Sequence, residues 1–222
     1  MTPLLRSLAS AALLTLSPLA MAEPTIRIDT SLGPIVVELD EAKAPETVAN
    51  FLRYVEQDYY EGTIFHRVIP GFMIQGGGFD AAYSRRPTGD ALRNEANNGL
   101  KNVRGSIAMA RTRDPHSATA QFFINHADNP YLDHTSETTR GWGYAVFGQV
   151  TEGMDVVDAI AAIPTGADGP FRSDVPTQTV LIRGIERVEK PAADAGAAPE
   201  DQAAAASDAA PDEASEGSGS SD

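Results

Sequence analysis

The chain has 222 residues, no cysteine and a formal net charge of −14 at pH 7. Without cysteine it can form no disulfide, thiolate metal site or thiol nucleophile. Its excess of carboxylates argues against nucleic acid or an anionic membrane as a partner.

Residues 1–22 have the order of parts that is typical of a secretory signal peptide. One basic side chain, Arg6, precedes an apolar stretch from Leu8 to Leu16, which is too short to span a bilayer. The segment ends in Ala-Met-Ala, the small-x-small pattern of a cleavage site. We therefore expect cleavage after Ala22, export to the periplasm and no membrane anchor. The alternative, a buried N-terminal helix, would not require this order.

Residues 23–190 have the size of a single domain. Apolar and polar residues alternate on both sides of a short turn between Thr25 and Asp40, which predicts a β-hairpin. A helix is predicted over Pro45 to Gln57, because proline suits the first helical position and apolar residues recur at helical spacing. A second helix is predicted over Met154 to Ile163, where the next residue is proline.

Short apolar runs, many of them bounded by glycine, predict further strands elsewhere in this part of the chain. They are Thr63–Val68, Phe72–Gln75, Ser106–Ala110, Phe122–Asn125, Tyr144–Val150 and Thr179–Val188. Many short strands with two helices indicate a mainly β fold with a closed or strongly curved antiparallel sheet.

Residues 191–222 consist of alanine, proline, glycine, serine, aspartate and glutamate, with one glutamine. Such a segment cannot bury enough apolar surface to offset the entropy lost on ordering. We therefore expect a disordered acidic tail.

Four motifs point to a family. Residues 65–77 read FHRVIPGFMIQGG, residues 105–111 GSIAMAR, residues 121–125 QFFIN and residues 144–148 YAVFG. In kind and order they resemble the signature segments of the cyclophilins, over essentially Thr25 to Val188. The resemblance implies a closed eight-stranded antiparallel β-barrel capped by two α-helices, and peptidyl-prolyl cis-trans isomerase activity on proline-containing, unfolded or partly folded polypeptides. It implies no cofactor and no metal, and we expect a monomer.

The chemistry of this reaction needs few groups. Rotation about an X-Pro bond meets a barrier of about 18–20 kcal/mol set by amide resonance. In the twisted state the proline nitrogen regains a lone pair, to which a fixed guanidinium can donate. By resemblance Arg67 is this donor, and Gln75 orients it and contacts the substrate backbone. The resemblance places the substrate-binding residues at Phe72, Met73, Ala110, Arg111, Gln121, Phe123, Tyr131, Leu132 and Tyr144. Strand alternation predicts that Phe122, unlike its neighbours, faces the core.

Three positions depart from the best-known eukaryotic pattern. Tyr131 replaces the pocket tryptophan of the family, Tyr144 its pocket histidine, and Arg111 the asparagine after the strand alanine. The exported bacterial branch resembles this chain at these places, so loss of activity need not follow from the three departures.

Several alternatives remain open at this point. A non-catalytic chaperone could use the same groove to hold proline-containing chains, although it could dispense with Arg67 and Gln75. The acidic tail could mediate interactions, with the barrel as a scaffold. The glycines after Gln75 lack the spacing of a phosphate-binding loop, and the four histidines have no metal-ligand spacing on a helix. Trp142, in a loop from Asp133 to Gly143, is either an ordinary loop aromatic or a lid over the pocket.

Overall fold

Ten strands and two α-helices make up the computed structural model, which describes residues 23–189. The strands are β1 (Thr25–Thr30), β2 (Gly33–Leu39), β3 (Thr63–Ile69), β4 (Met73–Asp80), β5 (Ser106–Met109), β6 (Phe122–Asn125), β7 (Val146–Glu152), β8 (Thr165–Asp168), β9 (Phe171–Pro176) and β10 (Leu181–Val188). The helices are α1 (Pro45–Glu56) and α2 (Met154–Ala161). The sequence predictions for residues 1–22 and for the tail lie outside the described range.

Eight of these strands close into an antiparallel barrel in the order β1, β10, β3, β4, β6, β5, β7 and β2. Both helices contribute side chains to the same apolar core as the barrel, Phe51 from α1 and Ile160 from α2 among them. The expected closed eight-stranded barrel with two helices is confirmed. Neither helix of the described chain is long and apolar enough to cross a membrane.

A row of paired residues shows how the barrel fills its interior. Val68 in β3 lies opposite Ile74 in β4, which lies opposite Ile124 in β6, which lies opposite Ile107 in β5. All four side chains are fully buried. Because side chains alternate between the two faces of a strand, the residues on either side of this row point to the outer surface of the barrel.

The glycine run after Gln75 continues β4 to Asp80, although the sequence predicts that the strand ends at Gln75. A Cβ atom on Gly77 would lie 2.9 Å from the Tyr60 ring, and one on Gly78 would lie 2.4 Å from the Gln121 side chain. The glycines therefore allow close packing within a strand, and this segment forms no phosphate-binding loop.

Two features lie outside the predicted elements. Strands β8 and β9 form a separate two-stranded sheet, which the sequence does not predict because only two of its residues, Val175 and Pro176, are buried and no apolar alternation results. The indole of Trp142 is buried against Ala96 and Ala145, and its Nε1 donates to the carbonyl of Asn94 at 3.2 Å. Trp142 therefore belongs to a small buried cluster and does not form a lid over the pocket.

Candidate active site

The register of the barrel strands brings the predicted donor and its neighbours into one row on the outer surface. Arg67 in β3 lies opposite Gln75 in β4, Gln75 lies opposite Phe123 in β6, and Phe123 lies opposite Ala108 in β5. Directly opposed residues of antiparallel strands share a face. The guanidinium, the amide and the aromatic ring are therefore placed by backbone pairing.

The turn between β3 and β4 explains the Pro-Gly pair in the signature segment. The amide of Phe72 donates to the carbonyl of Ile69 at 3.0 Å, and Gly71 has φ +73°. In a tight turn of this type, proline fits the second position, and the third residue adopts a left-handed conformation that favours glycine. As a result, Phe72 and Met73 follow the turn at once and lie beside the row.

These residues surround a pocket of about 120 Å³ on the outer surface of the barrel. Its lining consists of Arg67, Phe72, Met73, Gln75, Ala110, Arg111, Phe123, Leu132 and Tyr144. Nine of the eleven site residues named from the sequence thus meet in one place. Apart from the two arginines, Gln75 and the phenol of Tyr144, the lining is apolar.

The two remaining predicted residues lie at the margin. Gln121 accepts a hydrogen bond from Gln75, with Nε2 and Oε1 3.0 Å apart. Tyr131 is 70% exposed, and its ring centroid lies 5.9 Å from that of Phe72. Tyr131 therefore extends the aromatic surface outward and forms no part of the pocket wall in this state.

A buried asparagine fixes the segment that closes the pocket. Asn129 donates through Nδ2 to the carbonyl of Phe72 at 2.9 Å, and a 3₁₀ turn over Pro130–Leu132 then delivers Leu132 to the pocket. The amide of Tyr144 donates to the carbonyl of Leu132 at 2.9 Å. The apolar wall is therefore tied by hydrogen bonds to the turn that carries Phe72.

Arg67 has a partner that the sequence does not predict. Its Nε lies 3.5 Å from Oδ2 of Asp174 in β9. Asp174 has φ +69°, a conformation that aspartate tolerates better than most residues but that still carries strain. No sequence signal identifies this contact, because Asp174 lies far along the chain in the hairpin that was not predicted.

A buried histidine next to the donor stays neutral. His66 packs between the rings of Phe79 and Phe171, and burial lowers its pKa from 6.5 to about 4. His66 lines no part of the pocket, so its imidazole does not take part in holding a proline ring there. Among residues 23–189, no group of three or more histidine and carboxylate side chains is placed to hold a metal ion.

A larger cleft of about 390 Å³ lies beside β2 and β7 and contains none of the eleven predicted residues. Its greater volume is not sufficient to make it the site. The smaller pocket is the candidate site because it combines an apolar floor with a fixed cation.

Comparison with known proteins agrees with the family resemblance. The family model described as cyclophilin type peptidyl-prolyl cis-trans isomerase/CLD matches residues 25–187. A peptidyl-prolyl cis-trans isomerase of Streptomyces antibioticus is 59% identical over 73% of this chain and 97% of its own length. Peptidyl-prolyl cis-trans isomerase B of Escherichia coli is 53% identical over 72% of this chain and 97% of its own.

A solved structure is similar throughout its length. The cyclophilin-type isomerase of Cryptosporidium parvum, crystallised in the presence of the dipeptide Ala-Pro, has a TM-score of 0.59 and 27% identity. The match covers 75% of this chain and 99% of that one.

Proposed function

We propose a mechanism and a cellular role from the premise that this chain belongs to the cyclophilin-type peptidyl-prolyl cis-trans isomerases and acts on proline-containing polypeptides. In this mechanism Arg67 donates to the proline nitrogen as the X-Pro bond twists, while the apolar pocket holds the proline ring. Asp174 holds the guanidinium of Arg67 in place.

Catalysis of this kind depends on binding the twisted amide better than the planar one. The planar nitrogen has its lone pair in resonance with the carbonyl and accepts hydrogen bonds poorly, whereas the twisted nitrogen accepts well. A donor that is already positioned costs little reorganisation when the bond rotates. No covalent bond forms or breaks, and no proton has to be transferred.

The single observation that carries the proposal is the convergence of Arg67 with an apolar pocket. Phe123 and Met73 are almost completely buried there and Leu132 nearly so, so a bound proline ring would be removed from water. In such surroundings a charged donor interacts more strongly with the nitrogen than it would in solvent. The relative crystallised with Ala-Pro supports a ligand of this chemistry.

The test is isomerisation by Arg67→Ala and Arg67→Lys, measured with a proline peptide and by proline-limited refolding of a protein. We expect Arg67→Ala to lose at least one to two orders of magnitude in kcat/KM, about 1.4–2.8 kcal/mol of transition-state stabilisation. Lysine should rescue only in part, because it lacks the planar fork of donors.

The matched control is Arg27→Ala. Arg27 is 43% exposed and ion-paired, and Arg67 is 42% exposed and ion-paired, but Arg27 lies in β1 and lines no part of the pocket. Near-wild-type activity in Arg67→Ala would falsify the role assigned to Arg67. A chaperone that only holds chains would instead slow aggregation equally well with and without Arg67.

We further propose that the enzyme assists folding of exported proteins in the periplasm. The support is the order of charged, apolar and small residues in residues 1–22. Expression of the full chain in a bacterium, followed by periplasmic fractionation and N-terminal sequencing, tests this role. The expected mature terminus is Glu23, and a cytoplasmic protein that keeps residues 1–22 would contradict it.

A further inference from the structure

A second, wider groove opens beside the proline pocket and shares two of its walls. It has a volume of about 760 Å³ and is lined by Arg111, Thr112, Arg113, Thr139, Arg140 and Tyr144. Arg111 and Tyr144 also line the proline pocket. An extended chain advances roughly 3.3–3.6 Å per residue, so a peptide with its proline in the pocket can reach the groove within a few residues.

The groove is a positive region on an acidic protein. Three of its six lining residues are arginines and none is a carboxylate, whereas the whole chain has a net charge of −14. Within residues 23–189, no ion pair involves Arg111, Arg113 or Arg140, although other arginines, such as Arg104 and Arg187, are paired.

Two carboxylates close to the groove in sequence have partners elsewhere. Asp114 accepts a hydrogen bond from the amide of His116 in its own loop, and Asp133 pairs with Lys101. Neither of these carboxylates lines the groove. Glu137 precedes Arg140 in the same loop but does not line the groove either. In the part of the chain that the structure describes, the three groove arginines therefore have no carboxylate partner at ion-pair distance.

One of the three arginines is already held in position. Arg111 donates through Nε to the carbonyl of Gly143 and through Nη1 to the carbonyl of Thr112, both at 2.9 Å. Its Cζ lies 4.4 Å from the centroid of the Tyr144 ring. An arginine has five N–H donors in a planar fork, so donors remain for a ligand. Because the fork is already ordered, binding a carboxylate costs less entropy.

We propose that this arginine groove binds acidic side chains of the substrate close to its X-Pro bond, and that the enzyme therefore prefers proline sites flanked by aspartate or glutamate. This inference rests on the proposed function of the neighbouring pocket. Because the groove adjoins the pocket on the side of Arg111 and Tyr144, acidic residues should help on one side of the proline only.

The experiment compares isomerisation of four short peptides by the full chain, with a direct readout and no coupling protease. Two peptides place Glu-Glu after or before an Ala-Pro core, and the other two replace each glutamate with glutamine. At low salt we expect kcat/KM to be 3- to 10-fold higher for one glutamate peptide than for its glutamine twin. The difference should shrink at high ionic strength, because salt screens exposed charges.

A double variant, Arg113→Gln with Arg140→Gln, tests whether the groove causes the preference. We expect its ratio of glutamate to glutamine rates to fall to near one. The control, Arg85→Gln with Arg183→Gln, makes the same change in net charge at exposed arginines outside the groove, and it should keep the preference.

The outcomes separate this inference from the function on which it rests. Equal rates for glutamate and glutamine peptides would overturn the acidic preference while leaving isomerase activity intact. Retention of the preference in Arg113→Gln/Arg140→Gln would show that these two arginines do not cause it, and its loss in the control would assign it to overall charge; either result would overturn the proposal. Failure to isomerise any of the four peptides would instead reject the function proposed for the pocket.

Discussion

Replacing Asp174 with asparagine should weaken catalysis without unfolding the protein. The substitution keeps the size of the side chain, and asparagine tolerates the left-handed backbone that Asp174 adopts at φ +69°. What it removes is the charge 3.5 Å from Nε of Arg67. The guanidinium then loses the contact that restricts its orientation next to the pocket.

The size of the effect follows from the exposure of the pair and the freedom of the arginine. The two side chains are 42% and 33% exposed, so the pair should contribute only about 0.2–1 kcal/mol to stability. If the arginine side chain became fully mobile, ordering it again for catalysis would cost up to about 2 kcal/mol of rotamer entropy. We therefore expect kcat/KM to fall about three- to tenfold, equivalent to about 0.7–1.4 kcal/mol.

A double-mutant cycle separates positioning from a general structural role. We expect Asp174→Asn to reduce kcat in the wild-type background and to have almost no further effect when Arg67 is already alanine. Asp29→Asn is the matched control. Asp29 is also ion-paired to an arginine and is 37% exposed, but it lies in β1 and lines no part of the pocket.

Two results would refute this reasoning. If Asp174→Asn slows isomerisation equally with and without Arg67, the carboxylate acts through something other than the guanidinium. If the substitution raises kcat/KM, the main effect of the Asp174 carboxylate in the wild type is to neutralise the charge of the donor. Its removal would then strengthen donation to the proline nitrogen.

Three other predictions concern the effect of pH and the role of the C-terminal tail. Burial lowers the pKa of His66 from 6.5 to about 4, so protonation of His66 should lower the free energy of unfolding by about 3 kcal/mol as pH drops from 6.5 to 4. His66→Phe should reduce this loss in denaturant titrations at the two pH values. The pocket has no histidine or carboxylate in its lining, so kcat/KM should stay nearly flat between about pH 6 and 8.5, and a bell-shaped profile in that range would indicate proton transfer. A chain ending at Lys190 should keep the melting temperature and the activity of the full mature chain, because the tail composition offers no apolar anchor, and a large drop in melting temperature would contradict this.

Much of the fold follows from local sequence patterns. The first hairpin, both helices and the short strands in the signature segments have strong periodicity or clear bounding residues, and their limits differ from the prediction by a few residues. Alternation also predicts that Phe122 faces inward. The ring of Phe122 is fully buried in the core, and Phe123 lines the pocket.

The failures have identifiable physical causes. The sequence predicts an end to β4 at the glycine run because glycine usually weakens strands, but here the neighbouring Tyr60 and Gln121 leave no room for a Cβ atom. Strand β8 is mostly exposed, and in β9 only Val175 and Pro176 are buried, so the two strands lack the apolar alternation by which a strand is recognised. Trp142 is buried by tertiary packing in a loop that has no periodic pattern of its own.

The missed contact between Asp174 and Arg67 shows why a signature segment does not define this site completely. Arg67, Gln75 and Phe123 are placed by strand pairing, and they lie in two of the signature segments, residues 65–77 and 121–125. In the proposed mechanism, the orientation of the guanidinium depends on a carboxylate from β9, in a hairpin that packs on β3 without joining the barrel. A reaction that relies on a fixed donor is sensitive to orientation as well as position. Substitutions in this hairpin, outside every signature motif, should therefore alter the rate while leaving the proline pocket intact.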